Sequence, residues 1–175
     1  MLKYLFLIMT STLTITSHSQ TFYELAITSI DGENINLSDF KDRYVLVVNV
    51  ASFCGFTKQY SDLQTLHKSY PNLTIIGVPC NQFGFQEPGG AQAIQSFCQN
   101  KYNIEFILTE KTKVKGKEKH PLYAWLTDKN LNKKDNYSVS WNFNKFLIGK
   151  DGSLLAHFGS NVSPLDQQIT TYLKQ

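Results

Sequence analysis

The sequence predicts an α/β domain in which helices flank a central mixed sheet. Two largely apolar runs, Tyr44–Val50 and Leu73–Val78, have the composition of strands that are buried on both faces. Between them, from Thr57 onward, apolar residues recur at helical spacing. Because a strand, a helix and a strand follow one another, the two strands are predicted to run parallel with a right-handed crossover.

The segment ahead of the first core strand predicts a β-hairpin added to the front of the domain. The range from Phe22 to Ile30 alternates loosely between apolar and polar residues and then meets Asp31-Gly32, a strong turn signal. The chain can return over Asn34 to Leu37 as the second arm of the hairpin.

The C-terminal half predicts a second hairpin between helices. Strands are expected over Val139–Ile148 and Leu154–Phe158, with a turn between them. A helix over Ala91–Tyr102 precedes this hairpin, and a last helix is expected to open at Ser163-Pro164. A βαβ half followed by a ββα half is the thioredoxin-like arrangement, so the predicted fold is thioredoxin-like with an N-terminal β-hairpin extension.

Composition limits the classes of function. The chain has 175 residues, enough for one domain, and 42% of them are hydrophobic, enough for a real core. A net charge of +3 gives no case for nucleic acid, and the lysine run Lys113–Lys119 is typical of a solvated loop. Three of the four histidines, His67, His120 and His157, are isolated in sequence and show no metal spacing, so no metal is expected.

Residues 1–19 predict a secretory signal peptide. Lys3 supplies a short positive region, Tyr4 to Ile15 is mostly apolar, and small residues precede a cut ahead of Gln20. The apolar run is too short and too interrupted for a membrane-spanning helix. The alternative is a disordered or membrane-tethering N-terminus. The prediction is an exported protein, periplasmic or secreted, with one domain over residues 20–175.

Cys54 lies where the first core strand ends and a helix is predicted to begin. Unpaired N–H groups and the positive end of the helix dipole favour a thiolate there. Thr57, which can cap that helix, stands where the second cysteine of a CxxC motif would stand. A single reactive thiol suits attack on a peroxide oxygen better than disulfide exchange. From these residues alone, a buried structural cysteine stays open as the alternative.

Three motifs carry a resemblance to a known family. They are NVASFCGFT at Asn49–Thr57, PCNQFGFQEPG at Pro79–Gly89 and WNFNKFLI at Trp141–Ile148. In this order and spacing they resemble the glutathione peroxidase family in its cysteine form, along essentially the whole chain after Gln20. The resemblance implies a thioredoxin-like peroxidase domain, without a cofactor, that reduces hydrogen peroxide and organic hydroperoxides in antioxidant defence.

The resemblance also implies a catalytic tetrad. Cys54 corresponds to the peroxidatic residue, and Gln86, Trp141 and Asn142 match the other three members. Amide and indole N–H donors around a sulfur stabilise its thiolate and the charge that develops on the leaving oxygen. Taken singly, Trp141 is typical of a core residue, and Gln86 and Asn142 are typical of loop hydrogen bonding.

Cys98 matches the resolving cysteine of the thioredoxin-dependent members. The implied cycle oxidises Cys54 to a sulfenic acid, condenses it with Cys98 and reduces the disulfide with a thioredoxin-like dithiol. The helix that carries Cys98 is expected to unwind locally so that the two sulfurs can meet. Glutathione is the less favoured reductant, and the short connection from Thr127 to Ser140 resembles the monomeric members of the family.

Other interpretations compete with this cycle. A redox sensor could pass the Cys54–Cys98 disulfide to a partner protein, and a non-enzymatic extracellular binding domain could keep the same fold. The complete set of tetrad residues favours the peroxidase. Cys80 is predicted to be structural, with reserve resolution or redox sensing as the alternative.

Overall fold

The computed structural model describes residues 20–174, so the signal peptide predicted over residues 1–19 lies outside the described residues. The strands are β1 (Ala26–Thr28), β2 (Asn34–Asn36), β3 (Tyr44–Val50), β4 (Leu73–Pro79), β5 (Ile107–Leu108), β6 (Lys145–Ile148) and β7 (Leu154–Phe158). The α-helices are α1 (Gln59–Ser69), α2 (Ala91–Tyr102), α3 (Pro121–Thr127), α4 (Lys129–Asn132) and α5 (Gln167–Leu173). Two short 3-10 helices cover Phe22–Glu24 and Leu37–Phe40.

Five strands form the central sheet in the order β5-β4-β3-β6-β7. Strands β3, β4 and β5 run parallel, while β6 pairs antiparallel to β3 and β7 antiparallel to β6. The β3–β4 register runs from Tyr44 opposite Leu73 to Val50 opposite Pro79. The mixed sheet and the parallel central pair that the sequence predicts are therefore confirmed.

Both faces of the sheet are covered, which explains why every residue of β3 and β4 is buried. Side chains alternate along β3, so that Leu46 and Val48 enter one core cluster while Val45 and Val47 enter the other. Helices α1, α2 and α5 cover the first cluster. Helix α3 and the N-terminal hairpin cover the second.

The predicted N-terminal hairpin is present and consists of β1 and β2. Its turn contains Gly32 at a φ of 88°, a left-handed conformation that glycine adopts without strain. The first strand is shorter than predicted because Phe22–Glu24 forms a 3-10 helix instead. The hairpin is joined to the sheet edge by the backbone N–H of Ile30, which donates to the Leu108 carbonyl at 2.9 Å.

Two predicted boundaries in the C-terminal half were wrong. The strand expected over Val139–Ile148 begins only at Lys145, because the preceding residues form a turn with Phe143 at a φ of 61°. The last helix begins at Gln167, where the Asp166 side chain accepts from the backbone N–H of Gln168, and not at Ser163-Pro164. Across residues 20–174, no helix is long and apolar enough to cross a membrane, and no metal-holding cluster of His, Cys, Asp and Glu occurs.

Candidate active site

Cys54 lies in the turn between β3 and α1, at the carboxyl end of the central strand. Its side chain is nearly buried, with a residue exposure of 8%, and its sulfur accepts a hydrogen bond from the backbone N–H of Phe56 at 3.4 Å. A backbone donor on the sulfur stabilises negative charge there. The position therefore combines limited exposure with a backbone donor aimed at the sulfur.

Thr57 does not cap α1, so that prediction was wrong. The helix begins at Gln59, two residues later, and the Thr57 hydroxyl is used inside the Cys54 turn instead. Its Oγ1 accepts from the backbone N–H of Cys54 at 2.9 Å and donates to the carbonyl of Ala51 at 2.8 Å. The threonine that replaces a second cysteine thus fixes the backbone on which Cys54 is carried.

The loop after β4 carries Gln86 to the Cys54 turn. Gly84 and Phe85 both adopt positive φ values, 62° and 54°, which reverse the chain just before Gln86. The Gln86 carbonyl then accepts from the backbone N–H of Phe53, the residue before Cys54, at 3.0 Å. A non-glycine residue such as Phe85 in the left-handed region is uncommon and marks a backbone held in place by its surroundings.

Gln86, Trp141 and Asn142 meet at this loop. The Asn142 Nδ2 group donates to Gln86 Oε1 at 3.0 Å. A Cβ placed on Gly84 would lie 3.6 Å from both the Gln86 amide and the Trp141 ring, so the two side chains flank the same glycine. Trp141 is 38% exposed, whereas Asn142 is fully buried and its Oδ1 atom has no hydrogen-bond partner within residues 20–174. The structure therefore brings together the three polar members of the predicted tetrad.

The turn 141–144, which carries two of these residues, is fixed by hydrogen bonds to each of its four backbone carbonyls. The bonds are Asn49 Nδ2 to the Trp141 carbonyl (2.9 Å), Asn144 Nδ2 to the same oxygen (2.8 Å), Ser160 Oγ to the Asn142 carbonyl (2.5 Å), Lys145 Nζ to the Phe143 carbonyl (2.7 Å) and Asn49 N to the Asn144 carbonyl (3.3 Å). Buried backbone carbonyls rarely lack partners, and the four carbonyls of this turn are all paired.

Sequence reasoning missed the residues that hold this turn, chiefly Asn49 and Lys145. Both are fully buried. Burial lowers the pKa of Lys145 to about 7, and the Asp62 carboxylate partly opposes this shift. A signal was present in the sequence, because Asn49 interrupts the apolar run Tyr44–Val50 and Lys145 opens the apolar run of β6. A polar residue in a strand buried on both faces indicates a specific partner.

Cys98 lies on α2, as predicted, and is fully buried. Burial raises the pKa of its thiol to about 11, and the Glu87 carboxylate adds to the rise. The Tyr60 hydroxyl beside the sulfur opposes it, although this hydroxyl makes no hydrogen bond of standard geometry. A raised pKa makes the Cys98 thiol a weaker nucleophile, because the thiolate is the reactive form.

The three cysteines are free thiols, and the sheet separates them into two groups. Cys54 and Cys98 belong to the core cluster on one face, and Cys80 belongs to the cluster on the other face. Burial raises the pKa of Cys80, whose sulfur also accepts from the backbone N–H of Gln82 at 3.5 Å. This placement fits the structural role predicted for Cys80.

Comparison with known proteins gives the family. The model of the glutathione peroxidase family matches residues 22–127, more than half of the chain. The chain belongs to the glutathione peroxidase family. The predicted family is thereby confirmed, and so is the prediction of a peroxidase.

Relatives of this glutathione peroxidase family member span nearly its whole domain. Hydroperoxy fatty acid reductase Gpx2 of Synechocystis is 43% identical over 152 residues, which cover 86% of this chain and 95% of that protein. Glutathione peroxidase-like peroxiredoxin HYR1 of Saccharomyces cerevisiae is 40% identical over 158 residues, which cover 88% of this chain and 97% of that protein. Among solved structures, Trgpx in its apo form has a TM-score of 0.69 at 33% identity and covers 90% of this chain and 98% of its own.

More distant structures share the fold alone. A thiol:disulfide interchange protein of the thioredoxin family from Chlorobium tepidum is 12% identical with a TM-score of 0.63, covering 90% of this chain and 98% of its own. The predicted thioredoxin-like fold is thus confirmed. In this chain, the Cys54 turn has a threonine at the fourth position of the CxxC pattern, at Thr57.

Proposed function

We propose that this peroxidase reduces hydrogen peroxide and organic hydroperoxides through the thiol of Cys54. The supporting observation is the convergence of three distant motifs, since Asn142 binds Gln86 and the Gln86 backbone binds the residue before Cys54. The Cys54 thiolate attacks one peroxide oxygen, the O–O bond breaks, and the other oxygen leaves with a proton as water or alcohol. Cys54 becomes a sulfenic acid. N–H donors of Gln86 and Trp141 stabilise the charge on the leaving oxygen.

Cys98 is the proposed resolving cysteine. Its sulfur forms a bond to the sulfur of the Cys54 sulfenic acid, and the hydroxyl of that acid leaves as water with the Cys98 proton. The location of both cysteines in one core cluster, with Cys80 across the sheet, supports this pairing. A thioredoxin-like dithiol then reduces the redox-active disulfide by exchange, with glutathione as the alternative reductant. The peroxiredoxin names of the yeast and Chlamydomonas relatives support a thiol-reduced cycle.

The proposed substrates include hydroperoxides of fatty acids. Two Synechocystis relatives that are named hydroperoxy fatty acid reductases support this class. Export to the periplasm or the exterior is proposed from the signal-like sequence of residues 1–19, and N-terminal sequencing of the mature protein tests it. A monomer is proposed from the short Thr127–Ser140 connection, and sedimentation measures it.

The deciding experiment is peroxide turnover supported by a thioredoxin system, compared with glutathione. We expect turnover with thioredoxin, its loss in Cys54→Ser, and loss of thioredoxin-supported turnover in Cys98→Ser. Cys80→Ser is the matched control and keeps turnover, because Cys80 lies in the other core cluster. Full turnover in Cys54→Ser would contradict the peroxidatic role. If glutathione supports equal turnover in wild type and Cys98→Ser and thioredoxin supports none in either, the two-cysteine cycle is wrong. The peroxidatic role of Cys54 would not be affected.

A second candidate function is a redox sensor that passes the Cys54–Cys98 disulfide to a partner protein. The exposed side chain of Phe85 favours it, because it is 82% exposed next to Gln86 and offers a partner an apolar contact. Phe85→Ser tests this function. A sensor loses partner oxidation in this variant, while peroxide turnover with thioredoxin remains.

A further inference from the structure

A groove of about 370 Å³ opens between the Cys54 turn and α2. Apolar side chains from these two elements and from the loop before α2 form most of its lining, namely Phe53, Pro88, Ala93, Ile94 and Phe97. Phe53 directly precedes Cys54 and is 67% exposed, which is unusual for a phenylalanine. The volume and the apolar lining are those of a small-molecule site.

The polar groups of the groove are already occupied by each other. Ser52 Oγ donates to Glu87 Oε2 at 3.2 Å, and burial raises the pKa of the Glu87 carboxyl. A polar ligand would find few free partners, so hydrocarbon fits the groove best. Over Phe97, the Lys101 ammonium lies 5.4 Å from the ring centroid and forms no ion pair within residues 20–174. A hydrocarbon chain that ends in a carboxylate complements both features.

Helix α2 supplies one wall of this groove and also carries Cys98. Ala93, Ile94 and Phe97 all lie within the five residues before Cys98. Of the 12 residues of this helix only Ile94 and Cys98 are buried, Phe97 and Tyr102 pack partly buried on the same core, and no side chain caps the N-terminus. Local opening of one such element costs less free energy than global unfolding. The groove needs a folded α2, whereas the proposed cycle needs α2 to open so that the fully buried Cys98 can reach Cys54.

We propose that a long-chain fatty acid bound in this groove holds α2 folded and so delays formation of the Cys54–Cys98 disulfide. The proposal rests on the two-cysteine cycle proposed above. A ligand that binds only the folded helix lowers the opening of that helix by the factor 1 + [L]/Kd, about tenfold at roughly nine times Kd. Reduction of a long-chain hydroperoxide and resolution by Cys98 are then successive steps, separated by departure of the acyl chain.

Hydrogen exchange on the reduced protein tests the binding half without catalysis. Palmitate, a saturated carboxylate with a long chain, is compared with butyrate, which has the same head group on a short chain. We expect palmitate to slow amide exchange in Ala91–Tyr102 about tenfold at roughly nine times its Kd, and butyrate to leave exchange unchanged. Exchange in this helix that is the same with saturating palmitate as without it would overturn the proposal.

Rapid quenching after one equivalent of hydrogen peroxide tests the second half. We expect palmitate to slow disulfide formation about tenfold while the Cys54 sulfenic acid, trapped by dimedone, accumulates. Lys101→Glu should weaken this slowing severalfold, and the matched charge reversal Lys117→Glu on an exposed loop should preserve it. If palmitate protects α2 from exchange but the rate of disulfide formation is unchanged, the proposal is overturned.

The two proposals fail in different ways. If no Cys54–Cys98 disulfide forms even without palmitate, the two-cysteine cycle is wrong. The coupling proposed here is then overturned with it, whereas the exchange measurement still decides whether the groove binds the fatty acid. If the disulfide forms, and palmitate protects α2 from exchange but does not slow disulfide formation, the fatty acid binds but does not delay resolution by Cys98. Only the proposed link between binding and resolution is then wrong.

Discussion

The turn 141–144 and helix α2 are held in opposite ways. In the turn, each backbone carbonyl accepts from a donor, and Asn142 and Asn144 are fully buried. In α2, only Ile94 and Cys98 are buried, and the N-terminus has no side-chain cap. The difference fits the chemistry that we propose for each element, because donors to a developing charge need fixed positions and a buried resolving thiol needs a helix that can open.

Removing the Asn49 side chain should have the largest effect, because it frees the turn 141–144 from two of the hydrogen bonds that hold it. Its Nδ2 donates to the Trp141 carbonyl at 2.9 Å and its Oδ1 accepts from the backbone N–H of Asn144 at 3.0 Å. Asn49→Ala leaves buried groups unpaired, so we expect the free energy of unfolding to fall by about 2–4 kcal/mol. The turn also loses its position, so the rate of Cys54 oxidation by peroxide should fall about 10- to 100-fold. Denaturant unfolding and stopped-flow oxidation measure the two effects.

Asn34→Ala is the matched control for this variant. The Asn34 side chain also makes a hydrogen bond, to Asn36, but the bond is exposed on the hairpin. We expect a change of less than about 0.5 kcal/mol and unaltered oxidation. A rate of Cys54 oxidation that survives in Asn49→Ala despite the lost stability would show that the turn does not orient the donors.

Patterns of apolar residues predict the central strands and helices of this chain well, since burial on both faces fixes their composition. They fail where a backbone is bent by specific side chains. The range Val139–Ile148 looks like one strand, yet Phe143 adopts a positive φ and its carbonyl accepts a hydrogen bond from the Lys145 side chain. Thr57 looks like a helix cap, yet its hydroxyl accepts from the backbone N–H of Cys54 and donates to the Ala51 carbonyl. Such hydrogen bonds depend on the folded backbone, so the spacing of apolar residues in the sequence does not predict them.

The same limit applies to the site. The tetrad could be named from three motifs, but the motifs do not say that Asn142 binds Gln86 or that Asn49 holds the turn. The spacing of Ile94, Phe97 and Cys98 places Cys98 on the apolar side of α2, but it does not say that Cys98 is fully buried while Phe97 is only partly buried. The proposed resolving role of Cys98 rests on the family resemblance, and the proposed opening of its helix rests on its burial in the structure.

The second-largest effect should come from Lys145→Met, and it should depend on pH. Burial lowers the pKa of Lys145 from 10.5 to about 7 in the folded protein. Between these values the unfolded chain binds more protons, so wild-type stability gains from Lys145 as pH rises. Met does not titrate. We expect the stability of wild type relative to Lys145→Met to grow by on the order of 3 kcal/mol from pH 7 to pH 10.

The charged and titratable groups that face Lys145 do not reverse this sign. The Asp62 carboxylate on α1 raises the pKa of Lys145 against the effect of burial. Burial lowers the pKa of His157 on β7 from its ordinary value, so this imidazole does not titrate above pH 7. Lys129→Met, at an exposed lysine, is the control and should differ from wild type by a constant amount. Unfolding curves that stay parallel for wild type and Lys145→Met across this range would show that the buried amine does not titrate.

Destabilising α2 should raise the rate of disulfide formation and leave the turn 141–144 unaffected. Ile94→Val removes one methylene from one of the two buried residues of the helix and costs about 0.5–1.5 kcal/mol. If α2 opens before the disulfide forms, disulfide formation should become roughly 2- to 10-fold faster while Cys54 oxidation keeps its rate. Ile169→Val removes the same group from α5, so it should lower stability without changing either rate. Equal acceleration in both variants would point to global unfolding instead of local opening.

The smallest expected effect comes from capping α2. Gly90 is its N-cap, with a φ of −78°, and a Cβ there would meet no atom within 4 Å, so a larger residue fits. In Gly90→Asp the carboxylate can accept from the first turn and complements the helix dipole, which together stabilise the helix by about 0.5–1 kcal/mol. Disulfide formation should then slow roughly two- to fivefold. Gly90→Ala adds a side chain without a cap, and quenched-flow kinetics should separate it from Gly90→Asp. If the aspartate leaves the rate of disulfide formation equal to that of the alanine variant, folding of the first turn of α2 does not control access to Cys98, and the opening must begin nearer its C-terminal end.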